Sequence, residues 1–401
     1  MRNFRNTLVA VMGVLTLVAA PGVKAQETLK LGLSTPMSGA AASWGLGMEW
    51  GTKQAAQFVN DAGGVKVGGK SYKFEIVSYD NKYTAAEGTK VAQTLLNRDG
   101  VRYIAGTIGT APTMALQSLS ERKGALLFTT AWGASIKGPK FPLTFTQFNT
   151  PNEVIPPFYS FIKKQHPSIK TVAILNPNDA TGKETEMVAR KIWESQGVKV
   201  VSSDWYERGT TEFQPIAAKM VDQKPDVIDL GVAPPSDGGI LFKEIKVLGW
   251  SGVKVLPTGT SAEAMMKIGG DAVEGVYLGI AADFDGPQAT EIQRKLSKGL
   301  RAAIGEQMNP VHVSGYDAIM ALKAGMEAAN SLDPKAIAAV LPKIVFESSY
   351  GKTAFGGKAT YGSVQHMLLP IIVTQVKNGK LVELDRVIPE ELTKRLAAAK
   401  K

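Results

Sequence analysis

The sequence predicts an α/β protein of two lobes, each with a parallel β-sheet that is covered by helices on both faces. Short apolar runs typical of buried strands alternate with stretches whose apolar residues recur at helical spacing. This alternation favours parallel sheets, because parallel strands need a crossover, usually a helix, between them. The strand series starts again once, after a connection that carries prolines, and 401 residues exceed the usual size of one domain.

Two series of apolar runs predict the strands, and amphipathic stretches between them predict the helices. The first series of strands is 29–33, 73–79, 102–106 and 125–129, and it ends near Phe145. The second series is 171–175, 198–202, 227–231, 253–256 and 275–280. The helical stretches are 48–61, 85–98, 114–121, 183–196, 212–223 and 239–248.

The connection between the two series carries Pro151, Pro156 and Pro157. Such a connection indicates a change of lobe, and we expect the boundary near Asn149. Later in the chain, the Ala-rich segment 314–330 predicts a long helix. A short strand-rich segment, 367–376, then closes the fold.

The first 25 residues have the three parts of a secretory signal. Arg2 and Arg5 precede an apolar run at 8–20, and small residues stand at Val23 and Ala25, the positions that a signal peptidase reads. A membrane anchor is the alternative, but spanning a bilayer takes about 20 apolar residues, and this run is shorter. We therefore predict cleavage after Ala25 and a periplasmic mature protein.

The residue counts argue against several classes of function. Without cysteine, the chain has no disulfide, no thiolate metal site and no Cys nucleophile. The net charge of +10 comes from Lys and Arg residues that are spread along the chain among acidic residues, which argues against nucleic acid as a partner. His166, His312 and His366 match no metal-ligand spacing, so we predict no metal site and no cofactor.

A glycine-rich stretch after the first strand comes close to a dinucleotide-binding fingerprint. Gly45, Gly47 and Gly51 have the spacing G-x-G-x-x-x-G, which is one residue too long, so helix packing is the interpretation that we favour. The sequence contains neither a phosphate-binding loop of the Walker type nor a G-x-S-x-G nucleophile elbow. We therefore predict that the protein is not an enzyme, and a secreted enzyme is the least favoured function.

The loops that follow the strands are where an open α/β sheet binds its ligand. In this chain they are rich in Gly, Ser, Thr and Ala and poor in His, Asp and Glu: 34–39, 107–112, 130–134, 176–182, 232–238 and 258–262. This composition suits hydrogen bonding of a small ligand by backbone groups and hydroxyls better than proton transfer.

Three motifs stand in the order that one family of binding proteins shows. Residues 31–39 (LGLSTPMSG) look like that family's first strand and loop, and 60–65 (NDAGGV) with Gly68 and Gly69 is similar to its hairpin. Residues 315–318 (GYDA) resemble the start of its late helix. Together these motifs resemble the branched-chain amino acid-binding family of periplasmic binding proteins, which are receptors of ABC importers.

The resemblance implies the type I periplasmic binding fold, with two Rossmann-like lobes joined by a hinge of three crossings. It assigns 26–149 and 284–344 to the N-terminal lobe, and 150–283 and 345–401 to the other lobe. It also implies a small-molecule ligand that is enclosed between the lobes by hinge closure. The expected partner is an ABC permease complex in the inner membrane, and the receptor is expected to be a monomer.

The resemblance also implies which residues bind the ligand. In the family, a hydroxyl residue and the backbone of the next loop bind the ligand carboxylate, and an aromatic residue of the first loop covers its side chain. The corresponding residues, together with one that replaces a family Tyr in the second lobe, are Trp44, Thr110, Ala131, Trp132, Gly133 and Thr181. The alternatives are packing for the tryptophans, a bond within its own loop for Thr110 and a helix cap for Thr181.

One departure from the family bears on the ligand. Amino acid receptors of the family place an acid of the second lobe on the ammonium group, and Gly259 stands at about that place here. Because a buried ammonium without a partner is costly, this departure disfavours amino acids, with Glu263 or Asp237 as conceivable substitutes.

We hypothesise a carboxylate with an apolar or aromatic body, such as an aromatic or aliphatic acid, and a branched-chain amino acid is the alternative ligand. A periplasmic sensor of the same fold for an amide, a urea or an aromatic acid, serving chemotaxis or regulation, is the alternative function.

Overall fold

The computed structural model describes residues 27–259 and 261–399, and within them the chain forms two β-sheets flanked by helices. The predicted signal at 1–25 lies outside the described residues. The predicted α/β class with two mainly parallel sheets is confirmed. Among the described residues, no helix is both long enough and apolar enough to cross a bilayer.

The strands and helices follow the predicted pattern, and every run predicted as a strand and every stretch predicted as a helix overlaps one of them. In chain order the strands are β1 Glu27–Thr35, β2 Val65–Val67, β3 Lys70–Asp80, β4 Tyr103–Thr107, β5 Leu126–Thr129, β6 Thr144–Thr146, β7 Thr171–Pro177, β8 Lys199–Tyr206, β9 Val227–Asp229, β10 Val253–Leu256, β11 Tyr277–Leu278, β12 Val345–Ser348, β13 Gly351–Gly356, β14 His366–Met367, β15 Ile371–Lys377 and β16 Lys380–Val387. The helices are α1 Ala42–Asp61, α2 Ala85–Gln93, α3 Thr110–Lys123, α4 Pro151–Gln165, α5 Ala180–Ser195, α6 Gln214–Asp222, α7 Pro235–Val247, α8 Ala262–Gly269, α9 Glu291–Ile304, α10 Pro310–Ala329, α11 Pro334–Val340, α12 Lys358–Tyr361 and α13 Glu390–Ala398.

The first sheet has the strand order β12-β13-β14-β6-β5-β4-β1-β3-β2, and we call this sheet with the helices packed on it the first lobe. Neighbours from β3 to β14 run parallel. The central strand β1 buries Leu31 and Leu33 completely, as a strand covered on both faces must. The carboxyl ends of β1, β4 and β5 therefore lie side by side.

The second sheet has the order β16-β15-β11-β10-β9-β7-β8 and, with its helices, forms the second lobe. Neighbours from β8 to β11 run parallel, and β15 and β16 add an antiparallel edge. Ile174 and Val255, on β7 and β10, are fully buried, so this sheet is also covered on both faces. The loops after β7, β9 and β10 then share one edge of the sheet.

The chain passes between the two lobes at three places before its last strands. The passages are 147–150 between β6 and α4, 279–290 between β11 and α9, and 368–370 between β14 and β15. After β16 the chain returns once more, because α13 packs on β13 of the first lobe. There the Gly357 N–H donates to Glu391 at 3.0 Å, and the Arg395 guanidinium donates to the Pro342 carbonyl at 2.7 Å.

The third passage lies later than the sequence analysis placed it. Strands β12, β13 and β14 were expected in the second lobe, but β14 pairs with β6 through His366 and Thr146. Packing explains the difference, because the Phe355 ring lies 5.0 Å from the ring of Phe145 and 6.4 Å from that of Phe128, both buried in the first lobe. The predicted second lobe also included the end of the chain, but α13 packs on β13 of the first lobe. The other predicted limits of the lobes stay predictions.

The glycines at 45–51 allow α1 to pack closely against its neighbours. A Cβ atom at Gly45 would lie 1.7 Å from the Pro36 carbonyl oxygen, and one at Gly47 would lie 2.2 Å from the His312 ring of α10. A Cβ at Gly51 would come within 2.5 Å of the His312 carbonyl oxygen. These distances support the helix-packing interpretation of the glycine motif.

Candidate ligand-binding site

A cavity lies between the two lobes, at the carboxyl ends of the parallel strands of both sheets, and we call it the cleft. It holds about 390 Å³ of space that no atom occupies, a figure that includes open solvent. Its wall comes from the first lobe, the second lobe and the passages between them: Trp44, Tyr83, Ile108, Gly109, Thr130, Ala131, Trp132, Phe148, Thr181, Val232, Thr258, Ile280 and Val311.

Four of the six residues predicted from the sequence lie in this wall, namely Trp44, Ala131, Trp132 and Thr181. Trp44 and Trp132 are almost completely buried, and the Trp44 ring lies 6.5 Å from the ring of Tyr83. Residues predicted in both lobes, three in the first and Thr181 in the second, thus line the same cavity. Their contact with a ligand stays a prediction.

Thr110 and Gly133 lie behind the wall, where they take part in hydrogen bonds around Thr181. The Thr110 hydroxyl accepts from the Gly133 N–H at 3.1 Å and from the Thr181 hydroxyl at 2.9 Å. The Thr110 N–H donates back to the Thr181 hydroxyl at 3.2 Å. Since Thr110 begins α3 of the first lobe and Thr181 lies in α5 of the second, these bonds join the two lobes beside the cleft.

The helix cap considered for Thr181 is made by another residue. The Asp179 carboxylate accepts from the Gly182 N–H at 2.8 Å and is the N-cap of α5. The Thr181 side chain is therefore available for the bond across the lobes. Two helix N-termini, of α3 and α5, meet at this point, and their backbone dipoles favour negative charge there.

Hydroxyl groups brace the first-lobe part of the wall from behind. The Thr107 hydroxyl lies 2.6 Å from the hydroxyl of Thr113 and 2.7 Å from that of Thr129. The Thr130 hydroxyl donates to the Thr107 carbonyl at 3.0 Å. Gly109 has a φ of +93°, which a residue with a side chain rarely adopts, and it turns the chain from β4 into α3.

Tyr83 is a residue of the wall that the sequence analysis did not predict as a ligand contact. It follows β3, and both Lys82 and Tyr83 have left-handed backbones, with φ of 46° and 59°. The Asn81 side chain holds this turn, because it accepts from the Tyr83 N–H at 2.9 Å and donates to the Ser34 carbonyl at 2.9 Å. Such conformations cost about 1–3 kcal/mol each and cluster at binding sites.

The other residues of the wall that were not predicted are mainly apolar, and they include Phe148, Val232, Ile280 and Val311. Thr130 and Thr258 are polar members of this group, and the Thr258 hydroxyl donates to the Gly231 carbonyl at 3.0 Å. Position after a strand could have identified Tyr83, Ile108, Val232 and Thr258. Phe148 and Ile280 lie on the passages, and no feature of the sequence marks them.

The wall, as far as the structure describes it, contains no charged side chain. An acid at Gly259 would have to displace Leu278, since a Cβ atom there would lie 2.1 Å from the Leu278 side chain. The conceivable substitutes point elsewhere: Asp237 accepts from the Tyr206 hydroxyl at 2.9 Å, and Glu263 pairs with Arg301 at 3.5 Å. Burial raises the pKa of the Asp237 carboxyl.

The histidines lie outside the wall, and burial keeps two of them neutral. Burial lowers the pKa of His312 to about 3 and that of His366 to about 4. The His312 ring lies 2.9 Å from the Ser43 carbonyl, so it helps to hold the start of α1 that carries Trp44. Within residues 27–259 and 261–399, no group of three or more His, Asp or Glu side chains has a geometry that could hold a metal ion.

Comparisons with known proteins agree with this architecture. The family model for the periplasmic binding protein family matches residues 28–380. The leucine-, isoleucine-, valine-, threonine- and alanine-binding protein of Pseudomonas aeruginosa is 25% identical over 83% of this chain and 87% of its own. The Leu/Ile/Val-binding protein of Escherichia coli is 24% identical over 79% of this chain and 83% of its own.

Solved structures show the same fold at lower identity. An ABC transporter solute-binding protein from R. palustris, in complex with benzoate, superposes with a TM-score of 0.76 at 20% identity over 91% of this chain and 99% of its own. A leucine-binding protein from Thermotoga maritima superposes with a TM-score of 0.77 at 18% identity over 91% and 100%. Since the family model spans most of the sequence, the chain belongs to the periplasmic binding protein family, in the branch of the branched-chain amino acid-binding proteins.

Proposed function

We propose that this chain is the exported solute-binding receptor of an ABC importer and that it captures a small carboxylate with an aromatic or apolar body. Removal of residues 1–25 would release the receptor into the periplasm, where hinge closure encloses the ligand between the lobes. The closed, occupied form is then the form that an inner-membrane permease recognises.

The observation that carries the proposal is the uncharged wall of the cleft. An amino acid brings an ammonium group, and burying that group without an acidic partner costs several kcal/mol. The described wall offers aromatic rings, aliphatic side chains and three threonine hydroxyls. A Cβ atom at Gly259 would lie 2.1 Å from the Leu278 side chain, and the two acids considered above, Asp237 and Glu263, pair with other groups. This environment favours a ligand without an ammonium group.

A carboxylate has suitable partners at one end of the cleft. The N-termini of α3 and α5 meet there, and the Thr110 and Thr181 hydroxyls and the Gly133 N–H now satisfy one another. A carboxylate that enters between the lobes can take over some of these donors, because ionised acceptors form stronger hydrogen bonds than hydroxyl groups. The ligand body then lies among Trp44, Tyr83 and Trp132.

The test is a titration of the purified chain from Gln26 onward, unfolded and refolded to remove any bound compound. Isothermal calorimetry with benzoate, 4-hydroxybenzoate, leucine and isoleucine measures the four affinities. We expect at least one aromatic acid to bind ten times more tightly than either amino acid, because only the amino acids bury an ammonium group. Tighter binding of leucine or isoleucine would overturn the proposed ligand class and leave the family assignment intact.

A further inference from the structure

Arg208 lies directly behind the wall of the cleft, and two of its nitrogen atoms are buried without a partner. It follows β8 in the second lobe, and its Nε donates to the Asp179 carboxylate at 2.5 Å. Nη1 and Nη2 are inaccessible to solvent and have no hydrogen-bond partner among the described residues. Since buried donors without partners are rare and costly, they require an explanation.

The guanidinium contacts the cleft through an aromatic ring of the opposite lobe. Its central carbon lies 4.2 Å from the centroid of the Tyr83 ring, which is close enough for a cation–π interaction. The same ring is part of the wall of the cleft, and the left-handed backbone at Lys82 and Tyr83 holds it there. Only the Tyr83 ring therefore separates the positive charge of Arg208 from the cleft.

We propose that Arg208 is a specificity-determining residue that selects ligands with an anionic group. The Asp179 carboxylate, which is the N-cap of α5, binds the Nε edge of the guanidinium. The guanidinium itself lies over the Tyr83 ring, so the positive end of the ion pair faces Tyr83. Once hinge closure excludes water from the cleft, the electrostatic field of this end favours a carboxylate over a neutral group of equal shape. This inference rests on the proposed function and deepens it by assigning the selection of charge to one residue.

The experiment compares benzoate with benzamide, which has nearly the same shape and no charge. We expect the chain to bind benzoate at least tenfold more tightly, and we expect Arg208→Met to reduce this preference about tenfold while benzamide binding changes less than threefold. Arg301→Met is the matched control, because it also removes one positive charge and a contact between lobes, its ion pair with Glu263, away from the cleft wall. The control should keep the preference.

Arg208→Met also leaves the Asp179 carboxylate without its ion-pair partner, and a second variant distinguishes this effect from the loss of the Arg208 charge. Asp179→Asn keeps a good helix cap and removes the negative end of the pair, so it should raise the preference for benzoate severalfold. Adding Arg208→Met to Asp179→Asn should lower the preference again, with no bare carboxylate left nearby. An unchanged preference in this double variant would overturn the inference.

The remaining outcomes are also decisive. If Arg208→Met weakens benzoate and benzamide equally, the residue only holds the lobes together, and the inference is overturned while the proposed function stands. If benzoate does not bind the unaltered protein, 4-methylpentanoate and its amide replace the aromatic pair in the same variants. If neither acid binds, the proposed function and this inference fall together.

Discussion

The two lobes build their halves of the cleft wall in different ways. The first lobe supplies the rings of Trp44, Tyr83 and Trp132 and braces them with hydroxyl groups and an Asn-held turn. The second lobe supplies small side chains, Thr181, Val232 and Thr258. The comparison suggests that the first lobe holds the body of the ligand and that the second lobe discriminates its charge.

The departure from the family pattern that bears on the ligand falls on the second-lobe half. The place of the family's acid is taken by Gly259, where a Cβ atom would lie 2.1 Å from the Leu278 side chain, and behind that half lies the guanidinium of Arg208, paired with the Asp179 carboxylate. We propose that a guanidinium behind a wall without acids sets the charge preference of the second lobe. A ligand with a negative and no positive group fits this arrangement.

The largest expected effect comes from placing an acid in the second-lobe half. Thr258→Asp directs a carboxylate into the cleft, where it repels the carboxylate of the ligand and finds no cation within the described wall. We expect benzoate affinity to fall at least a hundredfold, which corresponds to about 3 kcal/mol, the low end of the cost of an unpaired buried charge. Calorimetry with benzoate and leucine measures the change in both affinities.

Thr258→Asn is the control for this substitution, since it has the same size, no charge and equally lacks the hydroxyl bond to Gly231. The asparagine variant should lose less than tenfold. Equal losses in both variants would show that the second-lobe half does not discriminate charge, and the comparison of the two lobes would fail.

A smaller effect is expected from removing a ring of the first-lobe half. Trp132→Ala deletes a side chain that is 7% exposed and lies in the wall. We expect benzoate and benzamide to lose about thirtyfold alike, or about 2 kcal/mol, because the ring contributes contact area and no charge. Calorimetry with both ligands measures the loss.

Trp132→Phe tests whether the ring or the exact side chain matters, and it should recover most of the affinity. A fall in melting temperature with unchanged affinities would instead identify Trp132 as a packing residue of the loop. That result would leave Trp44 and Tyr83 as the rings that hold the body of the ligand.

Much of the fold was predictable from the sequence, because strands buried on both faces read as continuous apolar runs. The late passage at 368–370 was missed, since β12 to β14 join the first sheet through contacts of Phe355 with Phe128 and Phe145, more than 200 residues away. A period of two or of 3.6 residues reports which faces are buried. It does not report which lobe buries them.

The candidate site was predictable where position after a strand sufficed, as for Trp132 and Thr181. Thr110 as a ligand contact stays a prediction, and the sequence did not indicate that its N–H and hydroxyl bond to Thr181 across the two lobes. Tyr83 was missed although its place after β3 could have identified it. Arg208 was missed because its position depends on Asp179, which lies 29 residues earlier, and no local pattern encodes such a pairing.

The smallest expected effect comes from a contact that joins the two lobes and lies outside the cleft wall. Glu184 of α5 accepts from the Ser135 N–H at 3.0 Å and from its hydroxyl at 2.6 Å, and thus joins the second lobe to the first. Glu184→Ala removes these bonds, each of which contributes about 0.5 kcal/mol where water can replace it. We expect a loss of about fivefold for benzoate and benzamide alike, because the closed form is disfavoured for every ligand.

Glu194→Ala on the same helix is the control, since Glu194 is 54% exposed and pairs with Arg190 of its own helix at 3.7 Å. Small-angle X-ray scattering of the ligand-free variants supplies a second measurement, and only Glu184→Ala should increase the radius of gyration. If Glu184→Ala weakened benzoate binding alone, Glu184 would have a part in charge discrimination. We do not expect this result, because the Glu184 carboxylate repels the benzoate carboxylate. A general loss with a wider ligand-free form would instead show that closure and charge selection are separate properties of the second lobe, one carried by α5 and the other by Arg208.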